Sequence, residues 1–230
     1  MSDKIANNLI AHALIDACIF DLDGVIVDTA HYHFLAWKRL ANELGFKLTP
    51  EDNERLKGVS RRQSLEIVLQ IGGVNTSEPE KERLADLKNT WFTGLIEEMQ
   101  PGEIYPGVPS LITELKSGGY RVALASSSRN ARTVIARLSI GALFDALVDG
   151  TMITHTKPDP EIFLLTARML SVPPANCLVF EDAEAGVEAA LAAGMKCVGV
   201  GSAERLGKAD MVISKTGDFD MEMLAGLDVS

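Results

Sequence analysis

The stretch IDACIFDLDGV, from Ile15 to Val25, starts as a short apolar run and ends in two carboxylates followed by a glycine. Because Asp21 and Asp23 are two residues apart, both can face one site where a strand gives way to a loop. Two carboxylates so close repel each other unless a cation or a shared proton offsets the repulsion. Mg²⁺ suits such a pair, and an aspartate there can also act as a nucleophile toward phosphorus. The stretch therefore predicts a strand whose end carries a magnesium site and a candidate nucleophile.

Further short apolar runs follow along the chain and alternate with amphipathic stretches of helical periodicity. The runs are Tyr120–Ser126, Asp145–Val148, Cys177–Glu181, Met195–Val200 and Met211–Ser214, and the helical stretches are Gly107–Lys116, Ala131–Leu138, Pro160–Leu170 and Ala185–Ala193. Apolar runs that lack strict alternation and are followed by helices are typical of a parallel sheet buried on both faces. The sequence thus predicts a doubly wound, Rossmann-like α/β core, in which ligands bind beyond the carboxyl ends of the strands.

The interval 30–100 differs from the rest, because it shows helical periodicity and no convincing strand. The Pro- and Gly-containing stretch Pro101–Gly107 marks its end with residues that break regular structure. We therefore expect two domains. Residues 1–29 plus 101–230 would form an α/β core that carries the chemistry, and residues 30–100 would form a helical cap that acts as a lid.

The composition is that of an acidic globular protein, with 22 Lys and Arg against 32 Asp and Glu in 230 residues and a net charge of −10. This charge argues against a nucleic-acid or anionic-membrane surface, but not against a small phosphorylated ligand. No apolar run has the length of a membrane span, and His12 and Asp16 interrupt the apolar stretch Leu9–Phe20, so a secretory signal is not expected. We expect a cytoplasmic monomer that binds a small phosphorylated molecule, with no nucleic-acid and no membrane partner.

Polar groups follow three of the other predicted strands. Ser126, Ser127 and Ser128 end the second strand, Lys157 and Pro158 follow the third, and Glu181 and Asp182 end the fourth. Each group alone has an ordinary explanation: a serine caps a helix, a loop lysine is solvated, and acids favour a helix N-terminus. Together with the motif at the first strand they supply a nucleophile, a proton donor or acceptor, a metal site, and hydroxyl and ammonium groups for phosphoryl oxygens. This order of groups indicates a phosphotransferase.

Four segments, DLDGV, ALASSS, KPDPEIF and EDAEAG, resemble the haloacid-dehalogenase superfamily of phosphotransferases, and the resemblance runs from about Ile15 to Val200. It implies that Asp21 is the phosphorylated nucleophile and Asp23 the general acid and base. It further implies that Mg²⁺ is held by the Asp21 carboxylate, the Asp23 carbonyl, Glu181 and Asp182, and that Ser126 and Lys157 hold the transferring phosphoryl group.

The segments FDLDGVIVDTAHYHF, LKGVSR and ALASSSRN resemble the sequences of the phosphosugar mutases of that superfamily. The similarity implies conversion of a sugar 1-phosphate, such as β-glucose 1-phosphate, into the 6-phosphate through an aspartyl-phosphate enzyme and a bisphosphate. Arg61 would hold the phosphate that is not being transferred. The other residues that it assigns to the substrate site are Thr29, His33, Trp37, Lys57, Gly58, Val59, Ser64, Lys88, Ser127, Ser128, Arg129 and Asn130.

Two other functions use similar residues. A phosphatase of the same superfamily would hydrolyse a small sugar phosphate with the same groups, and its product would be free phosphate. A receiver-like signalling module also combines an acidic pair, an acceptor aspartate, a hydroxyl and a lysine on an α/β sheet. Such a module would be about half this length, with its acceptor on a middle strand and no helical insert.

Overall fold

The computed structural model describes residues 15–56 and 60–228 of the chain. The predicted substrate residues Lys57, Gly58 and Val59 lie outside the described residues, as does the start of the Leu9–Phe20 stretch. In the part of the chain that the structure describes, no helix combines the length and the apolar character that crossing a bilayer requires.

Parallel strands form one six-stranded sheet in the described residues. In chain order they are β1 (Ala17–Phe20), β2 (Arg121–Ala125), β3 (Ala146–Val148), β4 (Cys177–Glu181), β5 (Lys196–Val200) and β6 (Met211–Ile213). The spatial order is β3-β2-β1-β4-β5-β6, and all neighbouring strands run parallel. Phe20 of β1 is in register with Leu124 of β2 and Phe180 of β4. The predicted doubly wound sheet is confirmed, and its strand order reverses at β1, where a ligand site is expected.

In the described residues, the interval 30–100 after β1 holds four helices. They are α1 (Ala30–Glu43), α2 (Pro50–Glu54), α3 (Arg61–Gly72) and α4 (Glu78–Ile96). Residues 30–56 and 60–100 contain no strand, as the periodicity predicts. Ser60 and Gln63 form a capping box that fixes the start of α3. Helices α1, α3 and α4 share a hydrophobic cluster that includes Trp37, Leu65 and Leu84. Other residues of α1 and α4, namely Ala36, Phe92 and Ile96, belong to one of the two clusters at the sheet.

The sheet is buried on both faces by the remaining helices. These are α5 (Val108–Ser117), α6 (Ala131–Leu138), α7 (Glu161–Leu170), α8 (Glu184–Ala192), α9 (Ala203–Leu206) and α10 (Met221–Asp228). Along β1, Cys18 and Phe20 belong to one hydrophobic cluster, whereas Ala17 and Ile19 belong to the other. Successive side chains of a strand point to opposite faces, so the two clusters lie on opposite sides of the sheet. Burial on both sides explains why the strands read as continuous apolar runs.

The chain leaves the sheet for the helical insert and returns to it at neighbouring points. The backbone N–H of Tyr105 donates to the carbonyl of Ile26 at 2.9 Å. The hydroxyl of Tyr32, in the first turn of α1, donates to the carboxylate of Glu103, which follows α4. Both hydrogen bonds join the segment that leads into α1 to the segment that comes back from α4.

Candidate active site

The carboxyl end of β1 carries both aspartates of the sequence motif. Asp21 is buried, and its Oδ2 accepts a hydrogen bond from the backbone N–H of Asp23 at 2.9 Å. The Asp23 carboxylate accepts a hydrogen bond from the hydroxyl of Thr29, a buried residue just before α1. The turn requires Gly24, because its φ is +74° and a Cβ atom there would lie 2.1 Å from Oδ2 of Asp182. The glycine thus lets the acids of β1 and β4 approach each other.

Lys157 joins three strand ends. Its Nζ lies 2.5 Å from Oδ1 of Asp21, 2.7 Å from Oε2 of Glu181 and 3.5 Å from the carbonyl oxygen of Ala125. Burial alone would lower the pKa of this lysine, but the charges of the two carboxylates outweigh burial and raise the pKa above its ordinary value. Lys157 therefore stays protonated and holds positive charge beside Asp21.

Carboxylate oxygens of Asp21, Glu181 and Asp182 lie within 4.8 Å of one another. Burial, together with the neighbouring acids, raises the pKa of Asp182 to about 8. Burial and the charge of Asp21 raise the pKa of Asp23 to about 7. Burial also raises the pKa of Glu181, although Lys157 opposes the shift. The acids outnumber the ammonium group, so a divalent cation would stabilise their ionised forms, and Mg²⁺ fits a set of oxygen donors.

Glu181 lies against a glycine at the start of α8. A Cβ atom at Gly186 would come within 2.0 Å of Cδ and 2.2 Å of Oε2 of Glu181. The Oε1 of Glu181 accepts a hydrogen bond from the backbone N–H of Ala183 at 3.2 Å. The EDAEAG turn therefore fixes the Glu181 carboxylate both by a hydrogen bond and by the space that Gly186 leaves.

The loop between β2 and α6 carries the predicted serines. Ser126 is buried, and its Oγ accepts from the backbone N–H of Ser128 at 3.1 Å. The Oγ of Ser128 accepts in turn from the N–H of Asn130 at 3.2 Å. The Oγ of Ser127 is buried and has no hydrogen-bond partner within the described residues. A buried hydroxyl without a partner costs free energy, and a ligand oxygen at this loop would satisfy it.

A second group of polar residues lies inside the helical insert. The Nζ of Lys88 is 2.7 Å from Nδ1 of His33, and Lys88 also lies over the rings of Trp37 and Phe92. The His33 ring stacks on Phe92 with centroids 3.9 Å apart. Burial, with the charge of Arg61, lowers the pKa of Lys88 to about 7. His33 thus faces the interior of the insert, where it contacts Lys88 and Phe92.

Arg61 is the first residue of α3, as the sequence predicts, and its guanidinium lies 3.9 Å from the carboxylate of Asp86. Burial and the charge of Arg129 lower the pKa of Arg61, while Asp86 opposes the shift. Arg129 belongs to the loop after β2, so the charge of a core residue acts on a residue of the insert. An anion bound near both guanidinium groups would relieve this repulsion.

The predicted site residues therefore fall into two groups. At the sheet edge lie Asp21, Asp23, Ser126, Ser127, Ser128, Arg129, Asn130, Lys157, Glu181 and Asp182, and in the insert lie His33, Trp37, Arg61, Ser64 and Lys88. Thr29 connects the two groups through its hydrogen bond to Asp23. Over residues 15–56 and 60–228, no hydrogen bond or ion pair joins His33, Arg61 or Lys88 to the acids of the sheet edge.

A second set of potential metal ligands, His155, Asp159 and Glu161, lies near the start of α7. Its geometry has a structural explanation. The Glu161 carboxylate accepts from the backbone N–H groups of Thr154 at 3.0 Å and His155 at 2.7 Å, and from the His155 ring at 3.0 Å. These bonds hold the loop that leads to Lys157.

Sequence reasoning missed one charged residue near the site. Asp149 directly follows β3, is 1% exposed and pairs with Arg132 of α6. A single aspartate after a short strand carries no distinctive sequence signal. What distinguishes Asp149 is its ion pair with Arg132, which lies 17 residues earlier in the chain.

The fold and the groups at its carboxyl edge define the class of the protein, which is an α/β enzyme of phosphoryl transfer. The chain belongs to the haloacid dehalogenase-like hydrolase family, whose model matches residues 15–194. The resemblance in the four sequence segments is thereby confirmed.

Within this family the chain is similar to β-phosphoglucomutases. It is 47% identical over 210 residues to the β-phosphoglucomutase of Bacillus subtilis, which covers 90% of this chain and 93% of the relative. The crystal structure of β-phosphoglucomutase from Clostridium difficile superposes with a TM-score of 0.84 at 42% identity, covering 94% of this chain and 98% of that one. A phosphorylated carbohydrates phosphatase of Thermotoga maritima is 37% identical and covers 79% of this chain and 82% of its own.

Proposed function

We propose that the enzyme is a Mg²⁺-dependent phosphosugar mutase that interconverts a sugar 1-phosphate, β-glucose 1-phosphate in the first instance, and the 6-phosphate. The proposal rests on two cations in different parts of the enzyme: Lys157, paired with Asp21 at the sheet edge, and the half-buried Arg61 at the start of α3 in the insert. A mutase must hold a second phosphate in addition to the one at the nucleophile. Arg61 supplies a cation for that second phosphate.

Mg²⁺ would be held by the carboxylates of Asp21, Glu181 and Asp182 and by the backbone carbonyl of Asp23. The all-oxygen donor set and the raised pKa values of Asp182 and Glu181 support this choice. When bound, the ion offsets negative charge on the carboxylates and on the transferring phosphoryl group.

In the first half of the reaction, Asp21 carries the phosphoryl group as an acyl phosphate. The 6-hydroxyl oxygen of the sugar 1-phosphate attacks phosphorus, and the bond between phosphorus and the Asp21 oxygen breaks. Asp23 accepts the proton of the hydroxyl, and the product is a 1,6-bisphosphate with Asp21 as a free carboxylate. A pKa of about 7 suits Asp23 to both accepting and donating a proton near neutral pH.

In the second half, the bisphosphate turns round, so that its 1-phosphate faces Asp21 and its 6-phosphate faces Arg61 and Arg129. An oxygen of Asp21 attacks the phosphorus of the 1-phosphate, and the bond from phosphorus to the sugar O1 breaks. Asp23 donates its proton to that oxygen. The 6-phosphate leaves, and Asp21 is again phosphorylated, so atoms and charge balance over the cycle.

Several polar groups support the transferring phosphoryl group and the sugar in this proposal. Lys157 and Ser126 would bind phosphoryl oxygens, and the unpartnered hydroxyl of Ser127 would gain a hydrogen bond from the ligand. The remaining substrate contacts are assigned to Thr29, His33, Trp37, Lys57, Gly58, Val59, Ser64, Lys88, Ser128 and Asn130. Their number suits a polyhydroxylated ligand.

The helical insert would act as a lid over the sheet edge. We assign residues 1–29 plus 101–230 to the core and 30–100 to the cap. An acyl phosphate must survive while the bisphosphate turns round, so water has to be kept away from Asp21 during that time. The hydrophobic cluster that α1, α3 and α4 share supports movement of these helices as one body.

A phosphatase function is the second candidate, because the 37% identical Thermotoga maritima relative is a phosphorylated carbohydrates phosphatase. A phosphorus NMR time course distinguishes the two. The purified enzyme is given β-glucose 1-phosphate, Mg²⁺ and a catalytic amount of glucose 1,6-bisphosphate, with a parallel sample in excess EDTA. We expect the 6-phosphate signal to replace the 1-phosphate signal only with Mg²⁺. Inorganic phosphate as the main product contradicts the mutase proposal.

A further inference from the structure

Asp149 is a buried carboxylate for which the proposed reaction has no use. It follows β3 at the carboxyl edge of the sheet, and only 1% of it is exposed. Its Oδ1 accepts from the backbone N–H of Thr151 at 2.8 Å and from the Thr151 hydroxyl at 2.5 Å. Its Oδ2 accepts from Nε of Arg132 at 2.6 Å. Both carboxylate oxygens are therefore engaged.

These partners stabilise the negative charge of the Asp149 carboxylate. Burial alone would raise the pKa of the carboxyl, but the hydrogen bonds of Thr151 and the guanidinium of Arg132 outweigh burial and keep the pKa below its ordinary value. A buried carboxylate that loses its cationic partner becomes an uncompensated charge, so the structure around it changes to relieve that cost.

The residues on either side of Asp149 contact the loop after β2, which runs from Ser126 to Asn130. The carbonyl of Val148 accepts from the backbone N–H of Ser126 at 3.0 Å, and the N–H of Gly150 donates to the carbonyl of Ser128 at 3.2 Å. A Cβ atom at Gly150 would lie 2.1 Å from the carbonyl oxygen of Ser127. The loop therefore rests against the segment that Asp149 organises.

Arg132 lies just beyond the other end of the same loop. It is the second residue of α6, two positions after Asn130. The ion pair to Asp149 thus ties the first turn of α6 to the end of β3, while the Ser126–Asn130 loop lies between the two points. Both ends of the loop are held by one pair of charges.

We infer that Asp149 and Arg132 are positioning residues that hold the Ser126–Asn130 loop in the geometry needed to bind the transferring phosphoryl group. The inference rests on the proposed role of that loop, and it applies to a mutase and to a phosphatase alike. Neither residue touches the reacting atoms. Displacing a phosphoryl-binding hydroxyl by a fraction of an ångström to 1 Å costs about ten- to a hundredfold in rate.

The test compares the variants Arg132→Gln, Asp149→Asn and their double variant with the wild type. Arg132→Gln comes first, because the side chain of Arg132 is 60% exposed and its replacement leaves no cavity in the core, whereas Asp149→Asn changes a buried group. Arg137→Gln, an exposed arginine at the other end of α6, is the matched control. The readouts are kcat/KM for whichever phosphoryl transfer the wild type performs, the inhibition constant of inorganic phosphate, the Mg²⁺ concentration at half activity and the thermal midpoint.

We expect Arg132→Gln to lower kcat/KM about tenfold and to raise the phosphate inhibition constant by a similar factor, with partial recovery in Arg132→Lys. The half-activating Mg²⁺ concentration stays unchanged, since the acids of the sheet edge are on other strands. The double variant loses no more than the worse single variant, because both break the same pair. The inference is overturned if kcat/KM of Arg132→Gln stays within twofold of the wild type, if Arg137→Gln falls equally, or if only thermal stability changes. Wild-type release of phosphate instead of the 6-phosphate would contradict the mutase proposal and leave this comparison valid.

Discussion

The side-chain nitrogens of Lys88 and His33 lie 2.7 Å apart in the interior of the helical insert. Two positive charges cannot persist at that distance, and burial has already lowered both pKa values, that of His33 to about 3 and that of Lys88 to about 7. His33 is neutral at physiological pH, and its Nδ1 accepts from Lys88. The protonation of Lys88 therefore changes near neutral pH.

The first prediction concerns stability as a function of pH. Unfolded Lys88 binds its proton up to about pH 10, whereas folded Lys88 has lost it above about 7, so the unfolded state binds more protons in between. The free energy of unfolding therefore gains a positive slope of at most about 1.4 kcal/mol per pH unit between about pH 8 and 10. We expect Lys88→Met to lose this contribution. Urea unfolding of both proteins at pH 7, 8, 9 and 10 measures it, and parallel curves would contradict the lowered pKa.

The second prediction concerns the nucleophile. Asp21→Asn removes the oxygen that would attack phosphorus, and we expect turnover to fall by several orders of magnitude while the circular dichroism spectrum is unchanged. The matched control is Asp16→Asn, an exposed aspartate before the opposite end of β1 whose carboxylate accepts from the amide of Asn176. The control should keep wild-type activity. If Asp21→Asn retains more than a few per cent of turnover, another group is the nucleophile.

The third prediction tests the space beside Glu181. Gly186→Ala would bring a methyl group within 2.0 Å of Cδ of Glu181, so the carboxylate has to move. We expect the half-activating Mg²⁺ concentration to rise about tenfold or more, in keeping with the loss of metal-site geometry.

Gly94→Ala is the control for Gly186→Ala. A Cβ atom at Gly94, inside α4, meets no other atom within 4 Å. The control should stabilise the protein by about 0.5–1 kcal/mol and leave the Mg²⁺ titration unchanged. Two identical titrations for Gly186→Ala and wild type would show that Glu181 is not a ligand.

The fourth prediction separates the two phosphates. On the proposed function, Arg61→Ala removes a charge-assisted contact to the phosphate that is not transferred, worth about 1.5–3 kcal/mol or roughly 10–150-fold in mutase turnover. Hydrolysis of a small acyl phosphate should be nearly unchanged, because such a substrate has no second phosphate. Both activities are measured on one preparation.

The neighbouring Arg62 provides the control for Arg61. Its guanidinium lies 3.3 Å from the carboxylate of Glu66, also forms an ion pair with Glu78, and is on an exposed face of α3. Arg62→Ala should leave both activities at the wild-type level. An equal fall of both activities in Arg61→Ala would mean that Arg61 supports the fold or the chemistry itself.

The sheet and the polar groups at its carboxyl edge were predictable because the sequence signals for them are local. Each apolar run ends in its own polar group, and parallel strands bring their carboxyl ends to one edge whatever lies between them. Asp21, Lys157 and Glu181 are therefore expected together even though Lys157 comes 136 residues after Asp21.

Other parts of the site were not predictable because they depend on how helices pack. The contact of Lys88 with His33 requires α4 to lie against α1, and no local pattern specifies which faces of two helices meet. The burial of Asp149 depends likewise on the position of α6 relative to β3. The predicted helix boundaries differ from the observed ones by at most about one residue, as at α5, which begins at Val108 after Gly107, whose φ of +87° is not helical.

The hydrogen bond between Tyr105 and Ile26 has a consequence for how this architecture can diversify. This hydrogen bond joins the two ends of the insert, so the chain enters and leaves the insert at neighbouring positions beside the sheet. A segment with adjoining ends can be lengthened, shortened or replaced without shifting any strand. Selection, or a protein engineer, can therefore exchange the insert, to which we assign substrate recognition, while the residues at the carboxyl edge of the sheet stay unchanged.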